Sequence, residues 1–252
     1  MNPATGSSVA LVLAGGSGSR MGRPKQFIEL LGRPALYYTL RAFEDAPEID
    51  RIYIVGDRER IEELVKEGGI AKYAGCSEPG EARSLSTRSG LLLCEDEEDS
   101  IVLIHDGSRC LVTPDLIGRV VKKARAGVDG VIPALPISDT IKVAEKGSVS
   151  KSLDRRKLHA AQTPQAFRLD VLRHIYAAPE KVLRDATDDA SLVEDAGGRV
   201  AMVAGEKTNI KLTTPEDLIL AEAILIAREG AHHDEHHDEH RGGRLRVWRA
   251  GF

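Results

Sequence analysis

Leu13-Ala14-Gly15-Gly16-Ser17-Gly18-Ser19-Arg20-Met21-Gly22-Arg23-Pro24-Lys25-Gln26-Phe27 follows directly on the apolar run Val9–Leu13. A short apolar run feeding a glycine-rich turn reads as a buried strand handing over to a ligand loop. Glycines let successive backbone N–H groups turn inward and approach a phosphate chain closely. Arg20 and Lys25 add two positive charges to that loop. The stretch is not a Walker A loop, which needs GK[ST] after four spacer residues. Nor is it the dinucleotide fingerprint, because Met21 stands where the third glycine after Gly16-x-Gly18 belongs. A dinucleotide-dependent oxidoreductase is therefore disfavoured, and on this stretch alone a flexible turn with solvated cations is the bland alternative.

Outward from the loop, the apolar runs Arg51–Val55, Ile101–Ile104, Val131–Leu135 and Val200–Ala204 alternate with helical patterns. That alternation is the sequence form of βα units around a buried parallel sheet. Thr113-Pro114-Asp115 and Thr214-Pro215-Glu216 each read as an N-cap, a proline at the first helical position and an acid in the first turn, the second opening a helix to about Arg228. The expectation is an α/β, Rossmann-like, mostly parallel sheet with helices on both faces, over residues 1–228. Residues 139–162 break the rhythm with short β-type pieces around Lys146-Gly147 and predict an inserted β-arm. Residues 229–252 hold five of the eight histidines and little to bury, which predicts a disordered tail. His232, His236 and His240 could share a helix face and take a transition metal, but the interleaved Asp234, Glu235, Asp238 and Glu239 suit a solvated segment.

Composition narrows the function classes. The chain has 252 residues, with Lys+Arg 35 against Asp+Glu 39 for a net charge of −4, 42% hydrophobic and 29% charged. These values belong to a globular protein with no basic excess for a nucleic-acid backbone, so no nucleic-acid partner is expected. The longest apolar runs, Val9 to Ala14 and Leu218 to Ala227, are shorter than the roughly 20 residues of a membrane span, so no membrane partner is expected. The N-terminus lacks the charged region of a signal peptide. Cys76, Cys94 and Cys110 are odd in number and without CxxC spacing, which fits reduced thiols and predicts a cytoplasmic protein.

AGGSGSRMGRPKQF resembles the signature loop of nucleotidyltransferases that activate sugar or polyol phosphates, and seven further segments follow in order. His105-Asp106-Gly107-Ser108-Arg109 matches the HDAAR of these enzymes, Asp139-Thr140-Ile141-Lys142 their DTIK, and Asp154-Arg155 with Gln162-Thr163-Pro164-Gln165 their DR and QTPQ. Thr187-Asp188-Asp189-Ala190-Ser191 matches TDDAS, and Asn209-Ile210-Lys211 with Thr214-Pro215-Glu216-Asp217-Leu218 matches NIK and TPEDL. From about Val9 to Arg228 the chain is similar to the 2-C-methyl-D-erythritol 4-phosphate cytidylyltransferase family of the non-mevalonate isoprenoid pathway.

That resemblance implies CTP and a polyol phosphate as substrates, Mg²⁺ bound mainly through the CTP phosphates, and a homodimer. It implies Arg20 and Lys25 as the catalytic pair, and Ala14, Gly15, Gly16, Gly18 and Gly107 around the nucleotide. Gly80, Glu81 and Ser86 would face the cytosine. It places Asp106, Arg109, Thr140, Thr187 and Lys211 with the polyol phosphate, together with Arg155 supplied by the partner's arm. Thr187 and Asp188 could equally cap a helix. The chain departs from the family pattern at Gly15, where alanine is usual, at the CSEP stretch before Gly80, where a pair of glycines is usual, and at Cys110, where proline is usual. Gly15 is commoner in ribitol-phosphate cytidylyltransferases, which keeps ribitol 5-phosphate as an alternative substrate, and a non-catalytic nucleotide-binding module is a third reading.

Overall fold

The computed structural model describes residues 6–16, 18, 22, 24–94 and 99–238, with 231–238 as backbone. The first half holds β1 (Ser8–Leu13), β2 (Glu29–Leu30), β3 (Arg33–Pro34), α1 (Ala35–Asp45), β4 (Arg51–Val55), α2 (Arg58–Gly68), β5 (Tyr73–Ser77), α3 (Arg83–Leu91), β6 (Ile101–Asp106) and α4 (Pro114–Ala124). The second half holds β7 (Gly130–Pro136), β8 (Lys142–Glu145), β9 (Ser148–Ser152), β10 (His159–Ala161), β11 (Gln165–Arg168), α5 (Leu169–Tyr176), α6 (Glu180–Asp185), α7 (Asp189–Asp195), β12 (Val200–Ala204) and α8 (Pro215–Asp238).

Strands β5, β4, β1 and β6 lie parallel in that order. Beside β6 runs β11, antiparallel both to it and to β7, and β12 continues the sheet parallel to β7. β10 shares an edge of β7 with β11, pairing Ala161 with Ala134 while β11 pairs Ala166 with Val131. The sheet is thus mostly parallel, as the alternation of runs and helices requires.

Side chains alternate across the pleat and feed two layers. Ala10 and Val12 of β1 join Leu36, Phe43, Ile61 and Val120 from α1, α2 and α4 on one face. Val9 and Leu11 join Leu85, Leu172, Leu183 and Val193 from α3, α5, α6 and α7 on the other. A third, smaller cluster seats α8 through Ala221 and Leu225 against Leu30, Cys110 and Leu212. Burial pushes the Cys110 thiol up to about 12, so the cysteine behaves as a small apolar side chain there.

Two expectations are corrected. The 139–162 arm is narrower than expected. β8 and β9 pair with each other through Lys146-Gly147, both at positive φ (48° and 81°), whereas β10 inside that range has rejoined the main sheet. The second correction concerns the C-terminal helix, which continues through Asp238 instead of stopping near Arg228. After Arg228 the composition changes, but no proline intervenes and the isolated Gly230 weakens a helix without ending it. Residues 239–252, with His240, lie outside the described residues.

Candidate active site

Parallel strands point their carboxyl ends, and so the loops that follow them, to one edge of the sheet, where open α/β folds bind ligands. β1 ends at Leu13, and the backbone pairing runs on past it, Ala14 N donating to Val55 O at 2.7 Å and Gly107 N to Leu13 O at 2.9 Å. The glycine loop is closed by Gln26, whose amide donates to Ala14 O at 2.5 Å and to Gly16 O at 3.1 Å. A Cβ at Gly16 would meet open space, but one at Gly15 would lie 2.2 Å from Pro79 Cβ. Pro79 therefore imposes glycine at 15, and two departures from the family pattern turn out to be one contact.

On the opposite wall, Ser86 Oγ accepts from Gly80 N at 3.1 Å and donates to Ala82 O at 3.1 Å, fixing the turn into α3. The Glu81 carboxylate pairs with Arg184 at 2.6 Å.

Between the walls, at the end of β6, stands Asp106. Its Oδ1 accepts from Arg83 Nε at 2.9 Å and its Oδ2 from Lys211 Nζ at 2.7 Å, while Arg83 Nη1 reaches on to Asp189 Oδ2 at 2.6 Å. Burial alone would raise the Asp106 carboxyl, but the guanidinium and the ammonium outweigh it and hold it well below the usual carboxylate range. Behind it, Asp106 N donates to Thr163 Oγ1 at 3.1 Å, Thr163 Oγ1 lies 3.0 Å from His105 Nδ1, and His105 Nε2 lies 3.1 Å from Arg109 O. Burial pushes the His105 pKa down to about 4, so the ring is neutral near pH 7. A carbonyl can only accept, so Nε2 carries the proton and Nδ1 accepts from the Thr163 hydroxyl.

The cleft so formed, of about 510 Å³, brings together Gly15, Gly16, Gly18 and Lys25 of the first loop with Gly80, Glu81, Ser86, Asp106 and Lys211. Ala14 and Gly107 are buried and are not among its lining residues. Arg109 does not line the cleft. Its Nη1 donates to Asn209 O at 2.8 Å and so braces the segment that carries Lys211. Thr140 and Arg155 sit exposed in the arm, where Arg155 donates to Ser138 O. Thr187 is exposed ahead of Asp188, which caps α7 by accepting from Ser191 N at 2.9 Å. Arg20 lies outside the described residues.

Sequence reasoning missed Gln26 and Arg83. Gln26 is visible only as a polar residue at the loop's return. Arg83 lies inside the quoted Gly80–Ser86 stretch, but its partners are 23 and 106 residues away and leave no local signal. The QTPQ and NIK segments prove to be bracing as well: Gln162 exchanges hydrogen bonds with Glu206 O at 2.8 Å and Glu206 N at 3.0 Å, and Asn209 Nδ2 donates to Thr163 O at 2.9 Å.

A mostly parallel sheet with a glycine loop and paired cations facing one cleft at its carboxyl edge defines a nucleotidyltransferase-like α/β protein. Comparison with known proteins makes the assignment specific. The sequence profile of IspD, 2-C-methyl-D-erythritol 4-phosphate cytidylyltransferase, matches residues 8–227, and the chain belongs to that family. It is 69% identical over 222 residues to the 2-C-methyl-D-erythritol 4-phosphate cytidylyltransferase of Rubrobacter xylanophilus, covering 88% of this chain and 96% of that one. The enzyme of the same name from Rhodococcus jostii is 42% identical over 232 residues, covering 90% and 98%. Among solved structures, the 4-diphosphocytidyl-2C-methyl-D-erythritol synthase of Anaerococcus prevotii superposes with a TM-score of 0.75 at 32% identity, covering 87% and 96%.

Proposed function

We infer that the protein transfers the cytidylyl group of CTP to 2-C-methyl-D-erythritol 4-phosphate in isoprenoid precursor synthesis. An oxygen of the polyol phosphate forms the new bond to the α-phosphorus, and pyrophosphate leaves with the electrons of the bond that breaks. The observation that carries this reading is the single cleft that sets the glycine loop and Lys25 against Asp106 and Lys211 in a member of this family.

The attacking phosphate needs no general base, since its second pKa of about 6 leaves it mostly dianionic at neutral pH. What the reaction requires is relief of repulsion between two anions and stabilisation of charge on the α-phosphoryl group. Lys25, and Arg20 on the same loop, serve the triphosphate. Lys211 serves the polyol phosphate, and Asp106 holds its ammonium in place. The neutral Thr163–His105 pair fixes the Asp106 backbone without adding charge. Mg²⁺ belongs to this reading as a substrate-borne ion. Both Asp106 oxygens are already engaged by cations, and no group of three potential metal ligands occurs among the described residues. The ion would therefore sit on the CTP phosphates, where it supplies charge neutralisation.

We further propose a homodimer in which Arg155 and Thr140 complete the partner's site. Support comes from their exposure in an arm whose hairpin pairs only with itself. A cytoplasmic location fits three buried, unbridged cysteines, and no described helix is long and apolar enough to cross a membrane.

Pyrophosphate release measured with CTP and either methylerythritol phosphate or ribitol 5-phosphate tests the reading. Turnover with methylerythritol phosphate and CTP, and little with ribitol phosphate or with ATP, is expected. Preference for ribitol phosphate would overturn the substrate, and CTP binding without turnover on either would favour the non-catalytic module.

A further inference from the structure

Behind the cleft wall lies a buried polar cluster that the reaction, as read above, does not use. Asp189, at the first turn of α7, is fully buried. Its Oδ2 accepts from Arg83 Nη1 at 2.6 Å, and its Oδ1 accepts from Thr87 Oγ1 at 3.2 Å and from the Tyr176 hydroxyl. Four elements thus converge: Arg83 and Thr87 come from α3, Tyr176 from the end of α5, Asp189 from α7, and Asp106 from the end of β6. The start of α7 is itself pinned from the sheet, because Gln165 of β11 accepts from Ala190 N at 3.2 Å and donates to Asp188 at 2.7 Å.

Stability alone gives no reason for this arrangement. A buried ion pair is seldom better for folding than an apolar pair of the same volume, since both charges must leave water. What the pair does provide is orientation. An arginine fork has five donors in a fixed plane. Nη1 engages Asp189 behind the wall and Nε engages Asp106 in the cleft, so the guanidinium plane is set by two points. Nη2 is bonded to neither carboxylate, and Arg83 is among the residues lining the cleft that takes the anionic substrates. Burial and the neighbouring Asp189 both raise the Tyr176 pKa well above its ordinary value, so the phenol keeps its proton and donates to the carboxylate.

We propose that Asp189, with Tyr176 and Thr87 behind it, is a positioning residue that aims the Arg83 guanidinium at Asp106 and into the cleft, making Arg83 a further cation of the CTP site. The inference rests on the cytidylyl-transfer reading for what fills the cleft. It concerns a different set of residues from the Arg20, Lys25, Lys211 and Arg155 set.

A double-mutant cycle tests it, with kcat/KM for CTP from pyrophosphate release, the CTP dissociation constant from calorimetry, and thermal melting of each variant. Asp189→Asn and Arg83→Met should each lower kcat/KM for CTP about tenfold or more, the scale of one lost charge-assisted hydrogen bond. The double variant should be no worse than Arg83→Met alone, because Asp189 has nothing left to aim. It should also melt higher than Arg83→Met, which strands a buried carboxylate. Multiplying losses, or a folded Asp189→Asn protein with wild-type kinetics, would overturn the proposal. If Asp189→Asn fails to fold, Tyr176→Phe carries the same cycle: a loss of about threefold in the wild-type background and none in Arg83→Met. Equal losses in both backgrounds, or none in either, would overturn it. A wild-type protein that binds CTP without turnover defeats the catalytic reading alone, and the cycle is then read on CTP affinity. A wild-type protein that does neither defeats both.

Discussion

The cleft wall and the arm each carry cations that the proposed reaction uses, yet they are held in opposite ways. On the wall, Lys211 meets a carboxylate 105 residues away and Arg83 one 106 residues away, so the tertiary fold sets each charge before any ligand arrives. In the arm, Arg156 grips Asp154 two residues off, Arg155 reaches back only to Ser138, and β9 is exposed throughout. Long-range partners fix a position in space, whereas local partners fix only a conformation. The wall is therefore organised within one chain, while in the proposed dimer the arm would take its working position from the subunit it docks against.

The largest effect should come from the preorganised side. Lys25→Ala should lower turnover by about 10²–10³, the usual loss for a preorganised electrostatic group, while the protein stays folded. Wild-type turnover in the folded variant would remove Lys25 from the reaction. The arm makes a different demand. Arg155→Ala should be inactive alone, but when it is mixed and re-associated with Lys25→Ala, about half the dimers pair one of each, so roughly a quarter of sites regain wild-type composition. Subunit exchange seen by size analysis without recovered activity would place Arg155 within its own chain or outside the site.

Acid should loosen the wall before the arm. Burial lowers His105 from 6.5 to about 4, so between those values the unfolded chain binds more protons than the folded one. Stability should fall with pH across that window by on the order of 3 kcal/mol and level off below it. The lowered Asp106 carboxyl adds its own loss only below its ordinary 3.8. Urea midpoints from pH 7 to 4 should slope in wild type and flatten in His105→Gln, and a flat wild-type curve would contradict the neutral, buried ring.

The smallest effects compare two glycines. Gly15→Ala drives a methyl into Pro79 at 2.2 Å and should cost about 1–3 kcal/mol, recovered in large part by Pro79→Gly. Gly147→Ala in the arm has open space but a φ of 81°, so about 1 kcal/mol of backbone strain is expected and no second-site rescue. Denaturation of the two single variants and the Gly15→Ala/Pro79→Gly pair checks both.

What the sequence displays follows from the range of the forces involved. Strands β1, β4, β6 and β7 are legible because a largely buried strand must be an apolar run, and β12 is legible because Val200–Ala204 is apolar throughout although it is only partly covered. β5 was missed because Gly75 and its half-exposed residues blur the pattern, and β10 and β11 because three or four residues carry no period. The glycine loop is legible because its chemistry is contiguous. Gln26, Arg83 and Asp189 are not, because each acquires meaning from a partner that only the fold supplies. Arg109 and Asp188 were visible as motif members, but nothing local distinguishes a brace or a cap from a ligand contact.

The root of the arm has a mechanical consequence. The hairpin leaves the sheet after Pro136 of β7 and returns at His159 of β10, and those two residues face each other in register. Just beyond β10 come Gln162 and Thr163, which clasp Glu206 and Asn209 and carry the Asp106 amide. Lever and fulcrum are thus continuous: a load on the hairpin reaches its root at His159, and three residues further on it meets the clasps that brace the cleft. In the dimer proposed above, gripping a second subunit and tensioning one's own pocket would be a single act.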